Sequence, residues 1–393
     1  MLLNSMKVVS FCHVLQGPAC TQYLGDMGAQ VIKIEPLEGE RARRAKSVNM
    51  GEVNGLYLTA FRNKRLFSVD LKSPEGIEIV MRLIDEADVL FENFRYGVMD
   101  RLGLGYEAIK KRRPDIIYAS GTGWGSKGPM LARASQDLII QARTGMMSTN
   151  GTQCNKPRAI GSAIVDQHAG SLAAMGIIAA YVRKLTTGQG TRVESSLFAA
   201  GFDLQTEPLT MYMTTRPGTQ VIDRDSNLAT WHHLAPYGVY QLKDAPMAIS
   251  ANPIPKLAEA LDSDTLRTLH SLDSYKDRDQ IARTFADVLA ERLYAEVAEA
   301  FTKHDIWFGP VHDFEDVAKD PQVEALGVFR KIDVNGNPVV LVNHPIRYDD
   351  QIPELRIKGI KIGEHTREIL AEHGYSREQI EDMICRRVVG APA

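Results

Sequence analysis

One carboxylate, Asp166, lies at the start of a helix-forming stretch of unusual composition. The segment from Ala159 to Leu185 combines an apolar run with a long series of Ala, Gly, Met and Ile residues. Small and apolar residues on every side predict a helix that is buried rather than amphipathic. A carboxylate in its first turn would face backbone N–H groups and the positive end of the helix dipole. Two interpretations follow: Asp166 is the N-cap of the helix, or it is an ionised nucleophile in a site that excludes water.

Basic residues gather in loop-like stretches of the first third of the chain. They are either solvated surface charges or phosphate-binding groups, since phosphates commonly bind in the loops of α/β sheets. These residues are Arg41, Arg43, Arg44, Lys46, Arg62, Lys64, Arg65, Lys72 and Arg101.

The sequence lacks the glycine motifs that bind nucleotide phosphates. The turn after the first predicted strand contains Gly17 and Pro18 without the pattern G-x-G-x-x-G. Lys127 follows Ser126 rather than a glycine, so no P-loop is present either. Binding of nicotinamide dinucleotides or ATP is therefore not expected.

The overall composition excludes several classes of protein. With 393 residues the chain is long enough for two domains, and 44% hydrophobic and 24% charged residues are ordinary for a globular protein. A net charge of −3 gives no general attraction to nucleic acid or to anionic membranes. The four cysteines show no metal-binding spacing, which favours free thiols. Because signal-peptide features and long apolar runs are missing, we expect a cytoplasmic protein.

Strand and helix signals alternate through the first third of the chain, which predicts a parallel sheet with helices on both faces. Strands are predicted at 8–11, 30–35, 67–71, 89–91 and 116–120, and helices at 19–27, 74–84 and 106–112.

The following part of the chain has a different pattern. Residues 201–225 contain Pro208, Pro217 and Gly218 and are predicted to be irregular. Residues 237–251 alternate like short antiparallel strands, and helices are predicted around 256–261 and 278–303. The fold class is therefore α/β, with a large domain built on a parallel sheet and a small α+β domain.

Several blocks follow one another in an order typical of a known family. They include V-L-Q-G-P-A-C (14–20), N-K-R-L-F-S-V-D-L-K-S-P-E-G (63–76), A-D-V-L-F-E-N-F-R-Y-G (87–97), I-Y-A-S-G-T-G-W-G-S-K-G-P (117–129), T-G-Q-G-T-R-V-E-S-S-L-F (187–198) and G-E-H-T-R-E-I-L (363–370). Together they resemble the class III CoA-transferases, the family of formyl-CoA and carnitine CoA-transferases, over nearly the whole chain.

The resemblance implies a particular domain organisation. It predicts a large Rossmann-like CoA-binding domain (1–200), a linker (201–225) and a small α+β domain (226–325). A return linker and C-terminal helices (326–393) would then complete the large domain. It also implies that two chains interlock as a homodimer.

The resemblance assigns the nucleophile to Asp166. In the family, an aspartate attacks an acyl-CoA thioester to give a mixed anhydride and then an aspartyl-CoA thioester, from which a small carboxylic acid takes the CoA. This chemistry implies no metal and no permanently bound cofactor, with a coenzyme A thioester as substrate. The resemblance also makes the backbone around Gln16 and Gly17 the first candidate donor to the tetrahedral oxyanions.

The family's CoA contacts carry over to seven positions of this sequence. Cations there would meet the phosphates, and apolar side chains would meet adenine or pantetheine. The seven positions are Val69, Lys72, Asn93, Phe94, Arg101, Arg43 and Arg133.

Gln136 bears on which of the family's reactions this chain catalyses. Relatives that racemise 2-methylacyl-CoA thioesters carry histidine here, in a G-H-D triplet, as a proton-transfer base. This chain has Ser135-Gln136-Asp137, and glutamine has no titratable proton near neutral pH. The sequence therefore predicts an acyl-CoA:carboxylate CoA-transferase, with a 2-methylacyl-CoA racemase or isomerase as the alternative.

Two features depart from the formyl-CoA transferases. Leu15 occupies the position of one of their glutamines, and their four-glycine loop has no counterpart between 231 and 255. The segment instead offers His232, His233, Tyr237 and Tyr240. These side chains either contact the acyl or acid substrate or belong to the core and surface of the small domain.

Overall fold

The computed structural model describes residues 2–45, 49–50, 53–151, 157–215, 223–334 and 336–392. Lys46, Cys154, Pro217 and Gly218, which the sequence analysis considered, lie outside these ranges. The strands and helices are numbered in chain order below.

The strands are β1 (Lys7–Phe11), β2 (Gln30–Glu35), β3 (Asn49–Met50), β4 (Val53–Asn54), β5 (Arg65–Val69), β6 (Val89–Glu92), β7 (Ile117–Thr122), β8 (Thr191–Ser196), β9 (Gly238–Gln241), β10 (Pro246–Ile249), β11 (Phe308–Pro310), β12 (Phe329–Val334), β13 (Asn337–Val342) and β14 (Val389–Gly390).

The α-helices are α1 (Gln16–Asp26), α2 (Gly55–Ala60), α3 (Pro74–Asp85), α4 (Val98–Arg101), α5 (Tyr106–Arg112), α6 (Asp137–Arg143), α7 (Met146–Thr149), α8 (Ile164–Thr187), α9 (Leu197–Asp203), α10 (Thr206–Thr215), α11 (Ile254–Ala260), α12 (Asp264–Arg267), α13 (Arg278–Ala290), α14 (Tyr294–Lys303), α15 (Phe314–Lys319), α16 (Pro321–Ala325), α17 (Thr366–Glu372) and α18 (Arg377–Cys385). Short 3₁₀ turns lie at Arg41–Arg44 and Thr268–Ser271. No helix in the described part of the chain is both long enough and apolar enough to cross a membrane.

The chain forms two compact units. The first unit comprises Met1–Ile140, Ser162–Leu204 and Glu324–Ala393, and the second comprises Gln141–Gly161 and Gln205–Val323. The predicted domain boundaries at 200, 225 and 325 stay a prediction.

The first unit is built on one large sheet with the order β14-β5-β2-β1-β6-β7-β8. Neighbouring strands are parallel except β14, which runs antiparallel to β5. Strands β1 and β6 consist mainly of buried Val, Leu and Phe residues, as expected for strands covered on both faces. Without β14, this is the strand order of a Rossmann sheet, in which the direction of winding reverses between β1 and β6. The predicted α/β fold with a parallel sheet is confirmed.

Helix α8 packs one side into the first unit and leaves another side exposed. Gly170 faces α1 so closely that a Cβ there would lie 2.8 Å from the carbonyl oxygen of Gln16. Met175, Val182 and Leu185 are nevertheless 63%, 55% and 67% exposed in this chain. The prediction that α8 is buried on every side is therefore wrong. Its small residues permit the close approach to α1, and they do not require burial all round.

The second unit contains a three-stranded antiparallel sheet with the order β11-β10-β9. Its helices pack Leu257, Phe285 and Phe301 into one core with Tyr240 of β9. This arrangement agrees with the predicted antiparallel strands and helices of a small α+β domain.

The stretch 201–225 is more regular than predicted, because α9 ends at Asp203 and α10 covers Thr206–Thr215. Pro208 lies in the first turn of α10, where its missing N–H breaks no intrahelical hydrogen bond. Proline here is compatible with a helix, so the prediction of an irregular segment is wrong over these residues.

Candidate active site

A cavity of about 170 Å³ lies at the carboxyl ends of β1, β6 and β7 in the first unit. Its walls include residues 13–16, which follow β1, and residues 93–96, which follow β6. These two loops flank the point where the winding of the sheet reverses, which is where open α/β sheets bind ligands.

The structure brings six of the ten predicted site residues to this cavity. The six residues that line it are Asp166, Gln16, Gln136, Asn93, Phe94 and Arg133. The same walls include four side chains that the sequence analysis did not select as site residues: His13, Arg95, Tyr96 and Trp124.

Asp166 is the third residue of α8, and it does not cap this helix. The N-cap position belongs to Ala163, whose side chain makes no capping hydrogen bond. Instead, Oδ2 of Asp137 accepts the backbone N–H groups of Val165 and Asp166, at 2.8 and 2.9 Å. The N-cap interpretation of Asp166 is therefore wrong, and its carboxyl group is left to line the cavity.

The surroundings of Asp166 favour its protonated form to an unusual degree for an aspartate. Burial, and secondarily the negative charge of Asp137, raise the pKa of Asp166 to about 7. A hydrogen bond from the backbone N–H of Gln16 acts in the opposite direction and stabilises the carboxylate. A carboxyl group with this pKa is about half ionised at neutral pH, and its anion is more basic than an ordinary aspartate.

The turn between β1 and α1 carries that donor, and its backbone is tightly constrained. Val14 has φ of +63°, a left-handed conformation that is strained for a β-branched residue. The side-chain amide of Asn93 fixes the turn. Its Oδ1 accepts the backbone N–H of His13 at 2.8 Å, and its Nδ2 donates to the backbone carbonyl oxygen of His13 at 3.0 Å. At Gly17, a Cβ would lie only 2.5 Å from the Cβ of Cys12. Glycine is therefore required where the turn enters α1.

Two buried lysines hold the ends of the same turn. The ammonium group of Lys33 donates to the carbonyl oxygen of Cys12, and that of Lys64 donates to the carbonyl oxygen of Pro18 at 2.7 Å. Both lysines also lie near the ring of Phe61. Burial, with a contribution from the charge of Lys33, lowers the pKa of Lys64 to about 7.

Two cations that the sequence analysis counted as surface charges or phosphate ligands are in fact structural. Lys64 is fully buried, and Arg62 forms a buried ion pair with Asp26 at 2.7 Å. Both side chains are buried, because partners inside the first unit occupy the Arg62 guanidinium and the Lys64 ammonium groups. Burial of a charge depends on such distant partners, which a local sequence pattern does not reveal.

His13 contributes a neutral imidazole ring to the cavity. Its ring stacks on that of Phe94, with centroids 5.3 Å apart. Burial, followed by the positive charges of Lys33, Arg41 and Arg95, lowers the pKa of His13 to about 4. The only sequence signal for this residue was its place beside Gln16 in the turn.

Gln16 and Gln136 differ in how they meet the cavity. Gln16 is only 4% exposed, and its side-chain Nε2 is buried without a hydrogen-bond partner in the described structure. Gln136 is exposed, and its backbone carbonyl accepts the N–H groups of Ile139 and Ile140 at the start of α6. Both amides are therefore able to donate to a bound ligand, and neither titrates.

Four predicted CoA contacts lie outside the lining of this cavity. Lys72 and Arg101 are exposed near the ends of β5 and α4. Val69 is fully buried in the core of the sheet, so its side chain offers a ligand no surface. The guanidinium group of Arg43 pairs at 2.7 Å with the buried carboxylate of Glu35.

A weakly acidic carboxyl group beside a fixed backbone donor, at the switch point of a parallel sheet, is the kind of site that acyl-transfer enzymes use. The sequence profile of CoA-transferase family III matches residues 3–366. The chain therefore belongs to this family of CoA-transferases.

Similar proteins match this chain over most of their length. Succinyl-CoA:glutarate CoA-transferase of Mus musculus is 29% identical to this chain, with 98% of this chain and 90% of the mouse protein covered. Alpha-methylacyl-CoA racemase of Homo sapiens is 30% identical, with 99% and 98% covered. The crystal structure of a CaiB/BaiF family protein from Brucella suis has a TM-score of 0.81 and 29% identity, with 94% and 98% covered.

Proposed function

We propose that this protein is an acyl-CoA:carboxylate CoA-transferase in which Asp166 is the nucleophile. The observation that carries the proposal is that the Asp166 carboxyl, whose pKa is raised to about 7, lines one cavity with Gln16 and Gln136. A carboxylate that is desolvated and still partly ionised at neutral pH is suited to attack a thioester.

The proposed reaction exchanges one activated carboxyl group for another. A carboxylate oxygen of Asp166 attacks the thioester carbonyl carbon. The C–S bond then breaks, so that CoA leaves as a thiolate and the acyl group stays on Asp166 as a mixed anhydride. The thiolate then attacks the aspartyl carbonyl of the anhydride, which releases the donor acid and leaves an aspartyl-CoA thioester. The acceptor carboxylate attacks this thioester, which gives a second mixed anhydride and frees the CoA thiolate. The thiolate then attacks the acceptor's acyl carbonyl in this anhydride, which forms the new acyl-CoA and frees Asp166.

Hydrogen-bond donors around Asp166 are assigned to the oxyanions of these steps. The backbone N–H of Gln16 stabilises the carboxylate form of Asp166, so we assign it to the charge that develops on the aspartyl carbonyl oxygen. The Gln16 and Gln136 side-chain amides line the same cavity and are assigned to the substrate carbonyl or carboxylate. The rigid turn at Val14 and Gly17 keeps the first donor fixed, which avoids reorganisation during the reaction.

Cations at the cavity are assigned to the anionic parts of the substrates. Arg41, Arg95 and Arg133 line the cavity, and they suit either a carboxylate or the phosphates of CoA. Asn93 and Phe94 share these walls and are assigned to the pantetheine arm, with Phe94 offering apolar surface. Lys72 and Arg101, as exposed cations, remain predicted contacts of the CoA phosphates by resemblance. Arg43 is assigned to support of the fold because Glu35 occupies its guanidinium group.

A racemase acting at the α-carbon of an acyl-CoA is the second candidate. It is favoured by the similarity to the human alpha-methylacyl-CoA racemase, and a carboxyl group with a pKa near 7 also suits a proton-transfer base. The second base that such a reaction needs is missing at Gln136, since an amide does not exchange protons in this way. We therefore favour the transferase.

Assembly as an interlocked homodimer and a cytoplasmic location stay predictions from the sequence. The proposed chemistry does not depend on them.

Transfer assays test the proposal directly. The purified protein is incubated with pairs of acyl-CoA donors and carboxylic acids, and the CoA thioesters are separated by chromatography. We expect a new thioester with the wild type and none with Asp166→Asn, while Asp203→Asn, an exposed aspartate in the same unit, retains activity. Incorporation of deuterium at the α-carbon without transfer would instead support the racemase.

A further inference from the structure

Three side chains of the second unit bring two imidazoles and a carboxylate together. Glu207 is the second residue of α10, and His232 and His233 lie in the segment that precedes β9. One ligand atom from each of these residues lies within 4.8 Å of the other two. None of the three belongs to the cavity around Asp166.

The distances within this His–His–Glu cluster suit a shared ion better than direct hydrogen bonds. The Nε2 atoms of His232 and His233 each lie 3.6 Å from an oxygen of Glu207, which is too long for a hydrogen bond. Two ligands bound to one tetrahedral zinc ion at ordinary bond lengths are about 3.4 Å apart. The observed separations therefore need only a small change to surround such an ion.

His232 is a buried imidazole without a hydrogen-bond partner. Its side chain is 6% exposed, and neither Nδ1 nor Nε2 is hydrogen-bonded in the described part of the chain. A buried polar group in this state is costly, which makes it a candidate for a ligand.

His233 is oriented in the way that metal-binding histidines usually are. Its Nδ1 lies 2.8 Å from the hydroxyl oxygen of Thr230, which also accepts the backbone N–H of His233 at 3.1 Å. A hydrogen bond at Nδ1 fixes the ring and leaves Nε2 free to coordinate. The ring of Tyr237 packs against the imidazole ring of His233, with centroids 4.5 Å apart, and restricts the rotation of the imidazole.

We propose that Glu207, His232 and His233 bind a divalent transition-metal ion, with zinc as the best fit. Two imidazole nitrogens and one carboxylate oxygen are a common zinc ligand set, and they leave a fourth position open. The sequence predicts no metal, because the family's chemistry implies none and the cysteines show no metal-binding spacing. The three ligands are not detectable as a motif, because α10 and the histidine segment meet only in the fold.

Metal titration of the full chain tests this site without any enzyme assay. Protein treated with EDTA and dialysed is titrated with Zn²⁺ by calorimetry and with Co²⁺ by visible absorption. A Cys385→Ser background removes from the titration the thiol that is exposed in the described part of the chain. We expect one ion per chain and a cobalt spectrum of low coordination number without a thiolate band.

Variants assign the ion to the cluster. Glu207 is exposed, so Glu207→Gln leaves the fold intact and is expected to weaken binding about tenfold to a hundredfold, as is His233→Ala. His168→Ala is the matched control, because His168 lies in the first unit and pairs with Asp203 at 2.7 Å, so this variant is expected to bind metal like the wild type. Circular dichroism confirms folding of each variant. Failure of the wild type to bind one ion, or binding as tight as that of the wild type by Glu207→Gln and His233→Ala, would overturn the proposal.

Discussion

Asp137 holds the backbone of Asp166 while opposing the charge of its side chain. Oδ2 of Asp137 accepts the backbone N–H of Asp166 at 2.9 Å, and its negative charge helps to raise the pKa of the Asp166 carboxyl. One carboxylate therefore satisfies two of the free N–H groups at the start of α8, so that the other is free to face the cavity. The cost of this arrangement is a carboxyl group that is only partly ionised at neutral pH.

Asp137→Asn is predicted to shift the pH dependence of the reaction. The amide oxygen of Asn can still accept the two N–H groups, but the negative charge near Asp166 is lost. The pKa of Asp166 then falls below about 7, so the acid limb of kcat/KM against pH moves to lower pH. Profiles are measured for both proteins between about pH 5 and 9. Asp203→Asn is the control, and an unchanged midpoint in Asp137→Asn would refute the electrostatic role.

Asp166→Asn is predicted to stabilise the protein while abolishing activity. The pKa of Asp166 is higher in the folded state than in the unfolded chain, so the folded state binds more protons between about pH 4 and 7. The cost of burying the charge is therefore absent at low pH and fully present above pH 7. We expect the variant to gain roughly 1–3 kcal/mol in free energy of unfolding at pH 8, and less as the pH falls. Denaturant titrations at several pH values measure this, and a less stable variant at pH 8 would contradict it.

Gly17→Ala is predicted to damage catalysis by displacing the donor turn. The new Cβ would lie 2.5 Å from the Cβ and 2.6 Å from the Sγ of Cys12, so the turn that carries the N–H of Gln16 must shift. Loss of one such donor typically lowers kcat about 10²- to 10³-fold. Gly309→Ala is a matched control, because a Cβ there meets nothing within 4 Å. Steady-state kinetics on folded proteins decide, and equal kcat in the two variants would count against a positioned donor.

Lys64→Met is predicted to remove a component of the pH dependence of stability. The folded-state pKa of Lys64 is about 7, well below its ordinary value of 10.5, so the unfolded chain binds an extra proton between these values. The cost of burying the ammonium group is complete below pH 7 and disappears as the pH rises towards 10.5. The wild type should therefore gain up to about 1.4 kcal/mol per pH unit relative to the variant above pH 7. The free energy of unfolding of both proteins is measured against pH. Curves that run parallel above pH 7 would show that Lys64 does not titrate in this range and would contradict the prediction.

Local sequence patterns predicted the elements better than they predicted their surroundings. The predicted strand at 30–35 and helix at 106–112 match β2 and α5, because runs of apolar residues and helical spacing report local conformation. The same patterns placed Asp166 in the first turn of a helix. They did not reveal that Asp137 would cap that helix, since this hydrogen bond joins residues far apart in sequence.

The unpredicted parts of the site depend on distant contacts. The buried positions of Lys33 and Lys64 follow from carbonyl groups that the turn and α2 present to them. His13 was overlooked because its neutral state depends on burial and on three cations from other segments. The resemblance to the family supplied Gln16, Gln136, Asn93 and Arg133, which local periodicity alone did not single out.

Intact mass spectrometry of the protein after incubation with acyl-CoA thioesters tests the central role of Asp166 most directly. The account predicts an adduct with the mass of CoA or of the acyl group on the wild type, which hydroxylamine discharges, and none on Asp166→Ala. Peptide mapping would place the adduct on the peptide that contains Asp166. An adduct that persists in Asp166→Ala, or full transfer activity in that variant, would contradict the proposed mechanism.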